Sequence, residues 1–103
     1  MDIFGWLNRQ KRWSKETFGE TPRAEGILKH IEKEIAEVRQ NPTDLEEWVD
    51  IVILAFDGAW RAGHTPAAIC RMLESKQAKN FKRSYKKTAD DQPSEHDRTL
   101  EAI

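Results

Sequence analysis

The 103-residue chain has one cysteine, Cys70, so no disulfide can form within it. That thiol and three histidines show none of the spacing of a zinc site. Glycine and proline number only five and four, and neither an internal repeat nor a low-complexity segment is present. Long apolar runs are missing too. The longest, Ile51 to Phe56, has six members, far from the ~20 residues of a membrane span. The opening Met1-Asp2-Ile3-Phe4-Gly5-Trp6 lacks the basic and apolar regions of a secretory signal. A net charge of −1 with 34% charged and 38% hydrophobic residues argues against a disordered, self-repelling chain. The expectation is a single domain in the reducing cytoplasm, with no membrane partner.

The near-zero net charge hides an alternation along the chain. Residues 1–23 carry +2, residues 24–60 carry −6, residues 61–87 carry +7 and residues 88–103 carry −4. Two solvated helix faces of opposite sign would explain this. So would carboxylates that hold a divalent cation, with a basic segment for the phosphates bound to it.

Periodicity predicts three helices. The first runs over residues 23–39, with Ile27, Leu28, Ile31, Ile35 and Val38 as its apolar stripe and Asn41-Pro42 as its stop. The second runs over residues 44–62, with Thr43 as N-cap, Glu46 completing a capping box and Gly63 after its end. Its apolar face is so broad that it should be central. The third runs over residues 65–83, from the cap pair Thr65-Pro66. Residues 1–22 read as an aromatic-rich arm with Phe4, Trp6, Trp13 and Phe18, residues 23–85 as the helical core, and residues 88–103 as an acidic tail. Three helices make a thin bundle, so the all-α fold should be completed by self-association.

The acids have helical spacing. Glu34 and Glu37, and likewise Glu47 and Asp50, stand three apart and so neighbour each other. Glu46, Asp50 and Asp57 form a strip on the second helix. For the first helix a solvated acidic face is an equal reading. On a mostly buried second helix, uncompensated carboxylates repel one another unless a cation joins them. All-oxygen ligands suit Mg²⁺ or Mn²⁺. On the third helix Lys76, Asn80 and Arg83 continue the stripe begun by Ile69, Met72 and Leu73, where they could grip a polyphosphate.

Three blocks in order, Glu34-Ile35-Ala36-Glu37, Glu47-Trp48-Val49-Asp50 and Lys76-x-x-x-Asn80-x-x-Arg83, resemble the signature of the all-α MazG-like nucleotide pyrophosphohydrolases. Supporting stretches at residues 13–19, 44–50, 57–64 and 76–80 narrow the resemblance to the dATP/dGTP diphosphohydrolase branch, the MazZ-type enzymes of phages. Lys33 departs from the family, which often has a second acid there, and the gap between the acidic motifs is short. The resemblance implies one MazG-like domain over residues 1–103, working as a homodimer or dimer of dimers. It implies Mg²⁺-dependent cleavage of a deoxynucleoside triphosphate to monophosphate and pyrophosphate, in the host cytoplasm if phage-encoded. Glu34, Glu37, Glu47 and Asp50 would hold two or three ions, and Lys76, Lys79, Asn80 and Arg83 the phosphates. Glu46 is the candidate for orienting the water. Trp13, Ser14, Thr17 and Phe18 would meet the base, with dGTP favoured over dATP. Phe4 and Trp6 are assigned to covering the second helix, and His30, His64 and His96 to no chemistry. The rival is a non-catalytic helical oligomer whose basic residues 76–87 contact nucleic acid or an acidic partner. It leaves the acidic strip unexplained.

Overall fold

The structure, a computed structural model, describes residues 1–83. Readings that fall on residues 84–103, including the acidic tail, His96 and the end of the basic segment, lie outside the described residues. The described residues form four α-helices and no strand: α1 (Ile3–Phe18), α2 (Ala24–Gln40), α3 (Leu45–Arg61) and α4 (Pro66–Lys82). The all-α expectation holds, and each of the three expected helices matches within one residue at either end. None of the helices is long and apolar enough to cross a membrane.

The aromatic arm is itself a helix, which corrects the reading of residues 1–22. The Asp2 carboxylate caps α1 by accepting the N–H groups of Phe4 and Gly5, both at 3.2 Å. Gly19 ends it at φ 86°, a left-handed conformation that suits glycine, and donates its N–H to the Lys15 carbonyl at 2.9 Å. Leu7 and Ser14, seven apart, are the buried positions of α1. Trp6 lies against Phe56 of α3, with ring centroids 5.9 Å apart. Trp6 thus covers α3 as expected, whereas Phe4 stays exposed.

α2 and α3 form a hairpin, and α3 also packs against α1. Asp44, not Thr43, caps α3: its carboxylate accepts the Glu46 N–H at 3.0 Å, so no Thr43 capping box forms. Trp48 Nε1 clamps the turn by donating to the Pro42 carbonyl at 2.9 Å. Gly63 follows α3 at φ 104°. On α2 the buried positions are Ile27, Glu34 and Val38. The inward face is therefore turned toward Glu34, and Leu28 and Ile35 are left exposed. α3 is less enclosed than its all-round apolar character implies, with Leu45, Val49 and Val52 exposed as well.

Thr65 Oγ1 accepts the Ala68 N–H at 3.1 Å and Pro66 takes the first position of α4. The chain divides into two compact units, Met1–Cys70 and Arg71 onward, with the division inside α4. The first holds α1, α2, α3 and the opening turn of α4, where Ile69 is buried and Cys70 half-buried. In the second, Met72, Leu73 and Phe81 are exposed. Among the described residues the buried apolar side chains are Leu7, Ile27, Val38, Ile69 and the helix-opening Pro66, barely more than the buried polar Ser14, Glu34, Asp57 and Arg61. So many polar groups in so small a core require explanation one by one.

Candidate active site

The hairpin brings together acids from two helices. Glu34 and Glu37, one turn apart on α2, meet Glu47 from the first turns of α3, with one carboxylate oxygen of each within 4.8 Å of the others. His30, one turn before Glu34, places Nε2 3.2 Å from Glu34 Oε1. Glu34 Oε2 and Glu47 Oε2 are buried and accept no hydrogen bond from the described residues. Contact with the Glu37 carboxyl, then burial, then the charges of Glu37 and Asp50 raise the Glu34 pKa, against the pull of His30. Burial first, then Glu37, with smaller effects from Asp44 and Glu34, raises that of Glu47. Two carboxyls can share a proton only while one is protonated. Once all three are ionised, none can donate to another, and the two orphaned oxygens are left without a donor amid like charge. A hard divalent cation fits this donor set: oxygen ligands only, from three carboxylates, two with an unsatisfied buried oxygen. Asp50, one turn beyond Glu47, lies outside the group of three but near enough to act on Glu34. Glu46 is exposed on the first turn of α3.

A cavity of about 400 Å³ opens beside these acids, and His30 and Asp50 belong to its wall. α1 contributes Gln10, Trp13, Ser14 and Phe18, and the start of α2 adds Arg23, Gly26 and Ile27. Ile53, Leu54 and Asp57 of α3 form the remaining side. Trp13 and Phe18 meet edge to face with centroids 5.6 Å apart, both about half exposed, and the Arg23 guanidinium lies 5.1 Å from the Phe18 ring centre.

A buried arginine fixes this wall. Arg61, one turn after Asp57, donates from Nε to Asp57 Oδ2 at 3.0 Å. Its remaining nitrogens reach the carbonyls of Gly19 at 2.9 Å, Thr21 at 3.0 Å and Ser14 at 3.3 Å, and the Ser14 hydroxyl at 3.0 Å. Trp60 Nε1 donates to Asp57 Oδ1 at 2.8 Å. The forked guanidinium thus joins α3 to the end of α1 and the turn after it.

This geometry revises several expectations. Asp57, read as part of an acidic strip, has both oxygens engaged by Trp60 and Arg61 and stands apart from the carboxylate cluster. Ser14 is 1% exposed and its hydroxyl is engaged by Arg61. Thr17 is exposed and off the cavity wall. Trp13 and Phe18 do line the cavity. Gln10, Arg23 and the Arg61 network went unread. Gln10 stands three and four residues before Trp13 and Ser14, a spacing that carries meaning only once residues 3–18 are known to be helical. In the second unit, Lys76 and Lys79 are exposed, and Asn80 and Arg83 half-buried.

The sequence model of the dATP/dGTP pyrophosphohydrolase family matches residues 6–101, nearly the whole chain. The chain belongs to that family, as the three motif blocks implied, and is a nucleoside triphosphate pyrophosphohydrolase. Comparison with curated proteins and with solved structures gave no match.

Proposed function

We propose that the chain hydrolyses purine deoxynucleoside triphosphates, dGTP ahead of dATP, to the monophosphate and pyrophosphate, with Mg²⁺ as cofactor and Mn²⁺ able to serve. The observation that carries this reading is the cluster of Glu34, Glu37 and Glu47, with its two orphaned oxygens, beside an aromatic-walled cavity. These three acids and Asp50 would hold two or three ions. Bound there, Mg²⁺ supplies charge neutralisation of the triphosphate and activation of the attacking water.

The chain's own groups have separate tasks. Trp13 and Phe18 offer ring faces for stacking a base. Glu46, solvent-facing beside Glu47, is assigned to orienting the water. Lys76, Lys79, Asn80 and Arg83 supply cationic and amide donors for the phosphates, from the same subunit or a partner. Self-association is part of the proposal. The exposed Leu45, Val49 and Val52 of α3, with Leu28 and Ile35 of α2, suit a homodimer or dimer of dimers better than a monomer. The setting that fits is the cytoplasm of a phage-infected cell.

Pyrophosphate release from dGTP, dATP, dCTP and dTTP, with Mg²⁺ and with excess EDTA, tests the reaction. The expected result is turnover of the two purines only, highest with dGTP and absent in EDTA. Preference for a pyrimidine, or full activity in EDTA, would overturn it. Light scattering at micromolar concentration should give at least a dimer, and a fully active monomer would contradict the assembly.

A further inference from the structure

We propose that Gln10 selects the purine, its side-chain amide turning over to read guanine and adenine in opposite senses. The inference rests on reading the aromatic-walled cavity as the base site. Gln10 lies one turn before Trp13 and Ser14 on α1 and lines the cavity with both. It is half-buried, and its amide makes no hydrogen bond among the described residues. The other polar side chains of the wall are engaged or carry one kind of group. Ser14 and Asp57 hold Arg61, and His30 holds Glu34. Arg23 lies over Phe18 and only donates; Asp50, an acid, only accepts. Gln10 is thus the wall's uncommitted group that offers a donor and an acceptor side by side.

The edges of the two purines are complementary to that pair in opposite orders. Guanine presents an acceptor, O6, beside a donor, N1–H. Adenine presents a donor, the 6-amino group, beside an acceptor, N1. With Nε2–H on O6 and Oε1 on N1–H the amide fits guanine. A half-turn about its last side-chain torsion puts Oε1 on the 6-amino group and Nε2–H on N1. A pyrimidine held by the same sugar and phosphates presents its edge one ring short of the amide. One side chain therefore admits both purines, matching the two substrates of the family's name.

The test is kcat/KM for dGTP and dATP in Gln10→Glu and Gln10→Leu, at pH 8 where a carboxylate is ionised. Glutamate accepts from guanine N1–H and its 2-amino group but cannot donate to adenine N1. The dGTP:dATP ratio should rise about tenfold or more, the scale of one bidentate base contact. Leucine removes both pairings, so kcat/KM should fall about tenfold or more on each purine, with the ratio within about threefold of wild type. A ratio in Gln10→Glu within about threefold of wild type, in a protein of unchanged helical circular dichroism, would overturn the role. If Gln10→Glu does not fold, Gln10→Leu decides alone, and undiminished kcat/KM overturns it. Trp13→Ala, run in parallel, separates the two layers. Altered base selection there with no change in the Gln10 variants sinks Gln10 and keeps the cavity; unaltered selection in all of them sinks the cavity as well.

Discussion

Acids at two places on the same hairpin differ in one respect. Asp57 has a donor on each oxygen, from Trp60 and Arg61, and Arg61 in turn satisfies three backbone carbonyls and a hydroxyl. Among the described residues Glu34, Glu37 and Glu47 converge with only His30 as a counter-group, and two of their oxygens have no donor. A buried carboxylate with complete partners holds a fold together. A cluster with buried oxygens that lack them costs stability in the bare chain and is suited to a ligand that supplies the missing partner. The comparison therefore marks Asp57 as a structural acid and the three glutamates as the candidates for binding a cation, although all four are acids on amphipathic helices.

The largest effect should come from the unsatisfied group and the neighbouring Asp50. Glu37→Gln or Asp50→Asn should abolish pyrophosphate release, by a factor of about a thousand or more, while circular dichroism shows the helices intact. Full activity in either variant would remove that residue from the metal site. The satisfied group should behave in the opposite way. Arg61→Met leaves Asp57 charged and buried and the carbonyls of Ser14, Gly19 and Thr21 without their donor. Loss of one partner from such a network costs about 3–5 kcal/mol, read from urea unfolding. A loss under about 1 kcal/mol would show that Asp57 and Arg61 are not the fastening described.

The acids also set a pH dependence whose sign follows from their raised pKa values. Folded, Glu34 and Glu47 hold protons more tightly than in the unfolded chain. Their favourable contribution is present below the ordinary carboxylate range and is lost as pH rises through the raised values. The metal-free protein should therefore weaken across that window, and Glu34→Gln should flatten the dependence. Thermal unfolding at a series of pH values in EDTA measures it; rising stability across the window would contradict the assigned directions. The smallest effect is on selection. Trp13→Ala should shrink the spread of kcat/KM among the four deoxynucleotides by about tenfold, with metal-dependent hydrolysis retained. An unchanged spread would move base recognition away from Trp13.

Much of this comparison was legible in the sequence, but not the part that separates the two groups. Helix ends at Asn41-Pro42, Gly63 and Thr65-Pro66 are local signals, and the structure keeps them. Glu34, Glu37 and Glu47 could be brought together because i, i+3 spacing and a short turn between helices leave few arrangements. Asp57 was misgrouped because a helical wheel shows direction and not partners. The partners of Arg61 lie 40 to 47 residues away in the chain, beyond any local pattern. α1 escaped notice because its buried positions, Leu7 and Ser14, include a serine, while the aromatics Trp13 and Phe18 stay half exposed. An inward serine breaks the hydrophobic period, and its reason is the hydrogen bond to Arg61.

The central claim is that the unsatisfied carboxylates are a divalent-cation site. Its most direct measurement is the urea-unfolding midpoint as a function of Mg²⁺ concentration, without nucleotide, for wild type, Glu47→Gln and Arg61→Met. A ligand bound only by the folded state stabilises it progressively as its concentration passes Kd. The expected result is a Mg²⁺-dependent rise in wild type and in Arg61→Met, the latter from a lower starting point, and little or none in Glu47→Gln. The same Mg²⁺ response in wild type and Glu47→Gln would contradict it.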